Sequence, residues 1–231
     1  MALGAVSEGE RVSMEEFLLK LSARTPAPAG GAAGAYSVAV GAALCLMVLR
    51  FAASKNEKAS KSEKASKSEE ASKSEEMMNS VEVDLKRVDE LSVRAVRLAQ
   101  EDESSYLSVL SAFRLSRTLD PTEASEVKRN AFVSASRIPS ECAKTALQVC
   151  EVVMSQVDCV SSHLLGDLIA AGLTAVSGGL IGAQLVIANL GDTDSELVDQ
   201  AQRDLNELLG VQSVLLQVLG DKRSVSPLWD I

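Results

Sequence analysis

Residues 25–49 read TPAPAGGAAGAYSVAVGAALCLMVL and residues 168–191 read LIAAGLTAVSGGLIGAQLVIANLG, and neither stretch contains a charged side chain. Each exceeds the ~20 residues that a membrane-spanning helix needs. Small residues fill much of both stretches, however, and no belt of Trp or Tyr flanks either one. Because small side chains also permit close helix packing in soluble bundles, we favour two long buried helices over two membrane spans.

The composition of the whole chain also favours helices. Of 231 residues, 46% are hydrophobic and 3% aromatic, with 5 prolines and 14 glycines, which is little turn punctuation for an all-β sandwich. We therefore predict an all-α fold in one domain, residues 1–231: a bundle of six or seven helices with two long small-residue buried helices. The predicted helices begin and end near residues 14–22, 32–53, 81–113, 121–138, 139–160, 162–189 and 196–219.

Several helix ends carry recognisable capping residues. Ser13 and Glu16 have the spacing of a capping box, and Asp120 precedes Pro121 as an N-cap precedes a proline in the first turn. Pro139 is expected to open a new helix, since proline is tolerated in a first turn and disfavoured inside a helix. The remaining predicted caps are Gly191 at a C-terminus and Asp194 or Ser195 at the last N-terminus.

Residues 55–76 form a low-complexity insertion that repeats with a period of six, as KNEKAS, KSEKAS, KSEEAS and KSEEMM. Six residues advance a helix by about 600°, so each repeat is rotated by about 120° from the last and no constant face meets a core. A solvated helical extension and a disordered insertion are both compatible with this composition. We assign the insertion no chemistry.

Charge and cysteine content exclude several classes of function. The chain has 23 Lys and Arg against 32 Asp and Glu, with no basic block, which argues against a nucleic-acid partner. The cysteines form no CxxC pair and stand beside no histidine cluster, so we predict no metal site and reduced thiols that pack as small apolar residues. Residues 1–11 lack a basic start and an apolar stretch, so we predict no signal peptide and a cytoplasmic location. The cysteines are Cys45, Cys142, Cys150 and Cys159.

Asp167 stands at the head of the second charge-free stretch, within an otherwise apolar helix. An unpaired ionised carboxylate is costly to bury, so we expect Asp167 to have a partner, a proton or a water-filled cleft. A buried ion pair between two helices is the structural alternative to a catalytic acid. His163 lies one helical turn earlier and could share a proton with Asp167, although a histidine at a helix start is more often structural.

Four ordered segments resemble one enzyme family. FLLKLSARTPAPAGGAAGAYSVAVGAALCLMV resembles the opening of the formimidoyltetrahydrofolate cyclodeaminase / methenyltetrahydrofolate cyclohydrolase family, the cyclodeaminase domain of formimidoyltransferase-cyclodeaminase, with its glycine turn and small-residue helix. QEDESSYLSVLSAFRL is similar to the family's acidic helix, RIPSECAKTALQVCEVV to its Val-Pro helix, and SSHLLGDLIAAGLTAVSGGLIGAQLVIANLGD to its Ser-Asp helix. The chain departs from the family pattern at four positions: Ala29 replaces a glycine, Ala32 and Gly166 each replace a serine, and Leu185 replaces an asparagine.

The resemblance implies a folate one-carbon enzyme that acts as a homodimer. Its substrate would be a tetrahydrofolate derivative, with no permanently bound cofactor, no metal, no nucleic acid and no membrane. Asp102 and Asp167 correspond to the catalytic acid and base candidates. The corresponding folate-binding residues are Pro28, Gly30, Gly31, Lys55 and Asn189.

Three functional interpretations remain open at this stage. The first is cyclisation of formiminotetrahydrofolate to methenyltetrahydrofolate with release of ammonia, the reaction of a cyclodeaminase, an ammonia lyase. The second is a methenyltetrahydrofolate cyclohydrolase, in which the same carboxylate would activate water. The third is of another class: a non-catalytic folate-binding or helical scaffold protein that kept the bundle, as the altered residues at Ala29 and Leu185 would allow.

Overall fold

The computed structural model describes residues 13–62, 68–191 and 196–221, with side chains described over 13–54, 80–191 and 196–221. These ranges form an all-α bundle, as predicted, in which the chain runs through six helices joined by short connections. The helices are α1 (Met14–Ser22), α2 (Gly30–Ser62), α3 (Ser68–Leu115), α4 (Pro121–Gln156), α5 (Ser162–Leu190) and α6 (Glu196–Asp221).

Local hydrogen bonds confirm three of the predicted helix ends. The Glu16 N–H donates to Ser13 Oγ over 3.1 Å at the start of α1. The N–H groups of Thr122 and Glu123 donate to Asp120 Oδ1 over 2.9 and 3.1 Å at the start of α4. Gly191 ends α5 with a φ of 57°, a conformation that glycine adopts at little cost. The predicted caps Asp194 and Ser195 lie outside the described residues.

Helix α5 packs against α2, α4 and α6, and glycines lie where α5 and α2 meet. A Cβ added to Gly178 would lie 2.7 Å from Val38 Cγ2 and 2.9 Å from Val38 N. One added to Gly41 would lie 2.6 Å from the Ala171 carbonyl oxygen. These contacts make α2 and α5 antiparallel, so the N-terminus of α2 lies beside the C-terminus of α5.

The other sides of α5 pack against α4 and α6 in the same manner. A Cβ on Gly179 would lie 2.6 Å from Ala146 Cβ on α4 and 2.9 Å from Leu208 Cδ1 on α6. Two turns nearer the N-terminus of α5, a Cβ on Gly172 would lie 2.6 Å from Leu215 Cδ1 on α6. The glycines predicted to favour close helix packing therefore serve three different helix pairs.

The predicted helix start at Pro139 is wrong. Pro139 lies inside α4, which runs without interruption, and the proline is buried. Its missing N–H removes one intrahelical hydrogen bond. Gly182 of α5 accommodates the Pro139 carbonyl, since a Cβ there would lie 2.5 Å from that oxygen. Tertiary packing between α4 and α5 thus keeps the helix continuous through a residue that disfavours it.

Ion pairs and an amide hydrogen bond join α3 to α4. Arg87 pairs with Glu151 and Arg94 with Glu141. At the far end of the same interface, Gln156 Nε2 donates to Asp84 Oδ2 over 2.9 Å. The repeat of residues 55–76 lengthens α2 and α3 beyond this packed region, as a helical extension wherever its backbone is described.

The cysteines follow the predicted core role with one exception. Cys45, Cys142 and Cys150 are buried, and burial raises the pKa of each thiol to about 12, which makes them poor nucleophiles. Cys159 is exposed, so its predicted burial is wrong. The reason is that α4 ends at Gln156, and the helical spacing that linked Cys159 to the buried cysteines ends with it.

Within the described residues, two helices are long and apolar enough to cross a membrane. They are Gly30–Ser54 and Ser162–Leu190, and 61% and 50% of their most apolar windows are buried inside the protein. Core helices of soluble proteins meet the same test of length and composition. The expectation that both are core helices of a soluble bundle stays a prediction.

Gly178→Ala should destabilise the α2–α5 contact. We expect the free energy of unfolding to fall by about 1–3 kcal/mol, because the new methyl group would overlap the Val38 backbone. Gly166→Ala is the control on the same helix, since nothing lies within 4 Å of its added Cβ. That variant should gain about 0.5–1 kcal/mol from its higher helix propensity. Equal unfolding midpoints in urea would contradict the prediction.

Candidate functional site

The N-terminus of α2 is capped by a carboxylate from another helix. The first N–H groups of a helix have no partner within it, and they carry the positive end of the helix dipole. Here the Ala32 N–H donates to Asp102 Oδ2 of α3 over 3.0 Å. Asp102 therefore does the work of an N-cap although it lies 70 residues away in sequence.

Gly31 makes room for this carboxylate. A Cβ on Gly31 would lie 2.6 Å from Asp102 Cγ and 2.7 Å from Oδ2, so no larger residue fits without moving the acid. Gly30 is different, because the nearest atom to its added Cβ is Leu185 Cδ1 at 4.0 Å. Of the two glycines, the second is the one that the site requires.

The environment of Asp102 opposes its ionisation. Burial raises the pKa of this carboxyl, and the hydrogen bond from the Ala32 N–H lowers it, with a net effect above the ordinary aspartate value. A carboxyl group in this position can hold a proton closer to neutral pH than an exposed aspartate can. It is suited both to accept and to donate a proton.

A cavity of about 140 Å³ opens at this point, and we call it the Asp102 cavity. Asp102, Gly30 and Gly31 line one side, and Asn189 from the last turn of α5 lines another. The structure thus brings together four of the site residues that the family resemblance implied. Leu185, which stands where the family has an asparagine, also lines the cavity and makes that wall apolar.

A second pocket, of about 300 Å³, lies on the α1 side of the same helix start, and we call it the α1 pocket. Pro28 and Ala32 line it, so it adjoins the turn that leads into α2. Of the residues that line this pocket, the sequence predicted Pro28 as a site residue, and it did not predict the polar and aromatic ones. Gln100 and Glu103 are three residues apart and therefore share a face of α3 next to Asp102, and this spacing could have indicated a polar pocket there. The other lining side chains are Phe17, Lys20, Tyr36, Ala99, Gln100 and Glu103.

Asp167 is exposed, so the expected burial of its carboxylate is wrong. Helical periodicity turns Leu165 and Leu168 into the core and leaves Asp167 on the outer face, as it does His163 one turn earlier. Asp167 and Asn189 lie near opposite ends of α5, about 33 Å apart along the helix at 1.5 Å per residue. Asp167 is not part of the Asp102 cavity, and its catalytic role stays a prediction.

Lys55 is also distant from the cavity. It belongs to α2, but about 38 Å along that helix from Gly30 at 1.5 Å per residue. Its side chain is outside the described residues. Because α2 and α5 are antiparallel, Lys55 and Asp167 belong to the same end of the bundle, opposite the cavity. Folate binding by Lys55 stays a prediction.

The part of the chain that the structure describes contains no group of three or more His, Cys, Asp and Glu side chains that could hold a metal ion. The polar side chains that line the Asp102 cavity include the Asp102 carboxyl, the Asn189 amide and the hydroxyl groups of Ser105 and Tyr106. These groups can move a proton and form hydrogen bonds to a polar heterocycle.

Comparisons with known proteins identify the family and the fold. The family model described as formiminotransferase-cyclodeaminase matches residues 13–207. A methenyltetrahydrofolate cyclohydrolase from Methylorubrum extorquens is 25% identical over 210 residues, covering 88% of this chain and 91% of that protein. The crystal structure of formiminotetrahydrofolate cyclodeaminase from Thermotoga maritima shares the fold, with a TM-score of 0.70, 20% identity and coverage of 93% of this chain and 96% of that one.

Gly31→Ala should displace the Asp102 carboxyl toward solvent. We expect the raised pKa of Asp102 to fall toward the ordinary aspartate value, since the acid loses both its burial and its fixed position. Carbon-13 NMR titration of the aspartate carboxyl signals, assigned with Asp102→Asn, measures the change. Gly30→Ala is the matched control and should leave the Asp102 titration unchanged. The same Asp102 titration in both variants would show that Gly31 does not hold the acid in place.

Proposed function

Because this chain belongs to the formiminotransferase-cyclodeaminase family of folate one-carbon enzymes, we propose that it closes the ring of formiminotetrahydrofolate to give methenyltetrahydrofolate and ammonia. The observation that carries the proposal is the half-buried Asp102 carboxyl, held by the Ala32 N–H at the edge of a cavity. Its raised pKa favours a group that can be protonated when a leaving amine needs a proton.

The proposed reaction needs one proton to change place. N10 of the folate attacks the carbon of the protonated formimino group, and a bond forms between that carbon and N10. N10 then loses its proton and the amino group on the same carbon gains one. The carbon–nitrogen bond to this group breaks, ammonia leaves, and the methenyl cation remains.

Asp102 can carry out both proton transfers in turn. Its ionised form accepts the proton from N10, and the carboxyl then donates that proton to the departing amine. The Ala32 N–H engages Oδ2 throughout, which keeps the group oriented without preventing its ionisation. After both proton transfers, Asp102 is ionised again, as it was before the reaction.

The remaining cavity residues support substrate binding in this proposal. Gly30 and Gly31 present the backbone of the first turn of α2 to the cavity, and the Asn189 amide can donate to and accept from polar groups of the substrate near the one-carbon unit. Pro28 shapes the turn on the side of the α1 pocket. No permanently bound cofactor or metal is required for this chemistry.

The cyclohydrolase reaction is the second candidate, and the relative from Methylorubrum extorquens favours it. In that reaction water adds to the methenyl carbon, and Asp102 would accept a proton from the attacking water. The bond between this carbon and N5 then breaks as N5 takes up that proton, the second water proton is released to solvent, and 10-formyltetrahydrofolate remains. The two reactions share a carbon atom, a site and a base, so they differ in substrate rather than in residues. The apolar wall at Leu185 is the feature that supports a binding protein without turnover.

We extend the proposal to a homodimer in which the second subunit completes the site. Asp167 and Lys55, two residues that the family resemblance implies, belong to the end of the bundle away from the Asp102 cavity. Between the two ends, the outer side of α5 is free of charged side chains from Ala170 to Ala188. A two-fold axis across the middle of α5 would place Asp167 of one subunit beside the cavity of the other.

A cytoplasmic location without membrane or nucleic-acid partners completes the proposal. The acidic chain offers no cluster of cations for phosphates, with a formal charge of −9. Folate one-carbon substrates are themselves soluble. Fractionation of cells that express the full chain, without detergent, tests this part: recovery in the membrane pellet would contradict it.

Asp102→Asn should lower turnover at least ~100-fold, in the range that general acid–base groups contribute. The assay follows methenyltetrahydrofolate by ultraviolet absorbance, with its formation reporting cyclodeaminase activity and its loss reporting cyclohydrolase activity. Glu101→Gln is the matched control, because Glu101 is exposed and pairs with Arg97 on the outer side of α3. Wild-type protein that binds folate and turns over neither substrate would favour the binding or scaffold function.

Asp167→Asn tests the shared site. If each site uses Asp102 of one subunit and Asp167 of the other, both single variants are inactive. A coexpressed mixture of Asp102→Asn and Asp167→Asn chains then regains about a quarter of wild-type turnover, since half of the dimers are mixed and each carries one intact site. An Asp167→Asn variant with wild-type turnover would remove this residue from the mechanism, and a mixture without recovery would place both acids in one subunit.

A further inference from the structure

We infer that the α1 pocket binds the aminopyrimidinone edge of a reduced pterin, with Glu103 as its recognition residue. The inference rests on the proposed function and names the part of the substrate that this pocket would take. The pocket is larger than the Asp102 cavity, at about 300 Å³ against about 140 Å³. It is lined by a carboxylate, an ammonium group, an amide, a phenol and an aromatic ring.

The charged and phenolic groups of the pocket lie close to one another. The Glu103 charge raises the pKa of Tyr36, after the larger effect of burial. It also raises the pKa of Lys20, after the larger effects of a hydrogen bond and a charge from Glu16. The Lys20 ammonium contacts Glu16 Oε1 at 2.9 Å, and its other N–H groups remain available for a ligand.

This set of groups matches the edge of a 2-amino-4-oxo-pterin. That edge presents an exocyclic amine and the adjacent ring N–H, both donors, followed by a carbonyl acceptor. A carboxylate can accept both donors at once in a bidentate arrangement, and charge-assisted hydrogen bonds of this kind are among the stronger ones. The Lys20 ammonium can donate to the carbonyl, so donors and acceptors are complementary along the whole edge.

The pocket also offers an apolar surface for the ring. Phe17 and Tyr36 pack edge to face, with ring centroids 4.5 Å apart and planes inclined at 63°. Phe17 is buried and Tyr36 is half-buried, so the pair is held rigidly by the junction of α1 and α2. A planar heterocycle can pack against this pair while its polar edge reaches α3.

The position of Glu103 relates the pocket to the chemistry. Glu103 directly follows Asp102 on α3, and Ala32, whose N–H binds Asp102, lines the α1 pocket. A pterin bound by its pyrimidinone edge at Glu103 directs its opposite edge, which carries N5 and the one-carbon unit, away from Glu103. Both spaces border the start of α2, where the Asp102 carboxylate binds the Ala32 N–H, so this end of the substrate would approach Asp102 in front of the helix start.

The charge of the pocket argues against the alternative, the glutamate tail of folate. Among the described residues that line the pocket, Lys20 is the one with a cationic side chain, and the charges of Glu16 and Glu103 both act on it. An anionic carboxylate would meet a net negative surrounding. A neutral ring with two donors gains from the same carboxylates.

The test separates ring binding from tail binding. Full-length protein is titrated by calorimetry, without oxygen, with 6-methyltetrahydropterin and separately with p-aminobenzoylglutamate. Glu103→Gln should weaken pterin binding at least tenfold, because an amide cannot accept both donors, and should leave p-aminobenzoylglutamate binding within twofold. Glu101→Gln, an exposed acid two residues away, should bind both probes as the wild type does.

Turnover gives a second readout that a structural role would not move. Glu103→Gln should raise KM for the folate substrate at least tenfold and leave kcat within about threefold, and Glu103→Asp should recover part of the loss. Pterin binding and KM that are both independent of Glu103 would overturn the inference while the proposed reaction stands. Glu103-dependent pterin binding by a protein without turnover would support the inference and contradict the proposed reaction.

Discussion

The close approach of α2 and α5 is the constraint on which the rest of the structure depends. Gly41 and Gly178 let the two backbones meet where an added Cβ would overlap a neighbouring atom, and a Cβ on Gly34 would lie 3.1 Å from the Gly178 carbonyl oxygen. Because the helices are antiparallel and in direct backbone contact, the first turn of α2 is held beside the last turn of α5. That juxtaposition creates the cavity in which Asp102 and Asn189 meet. The site is thus a product of helix packing, with a hydrogen bond added to it.

The hydrogen bond from the Ala32 N–H holds a carboxylate in a place where burial disfavours its charge, which costs stability but favours proton transfer. Burial makes ionised Asp102 costly, whereas the Ala32 N–H and the positive end of α2 stabilise the charge. The two effects act on the pKa of Asp102 in opposite directions, and the effect of burial is the larger. A group with such a balance is poorly placed to add stability at neutral pH and well placed to exchange protons. Proteins commonly accept this kind of cost where a reaction requires it.

The fold tolerates departures from the family pattern that bear directly on the site. Ala32 contributes its backbone N–H, so the loss of a serine side chain there leaves the bond to Asp102 intact. Leu185 has a larger effect, because an apolar side chain replaces an amide on the cavity wall. The family and its fold are thus retained despite these departures, whereas the choice between ammonia release and hydration depends on which substrate the cavity binds.

Sequence alone determined the helical class and the caps at Ser13, Asp120 and Gly191, and the family resemblance named Asp102, Gly30 and Gly31 as candidate site residues. Those features depend on hydrogen bonds and periodicity within a few residues, or on a resemblance that spans the chain. Only the tertiary structure decided that α4 continues through Pro139, that Asp167 is exposed, and that Glu103 lines a pocket. These outcomes depend on how far neighbouring helices extend and what they place opposite a residue, which no local pattern records.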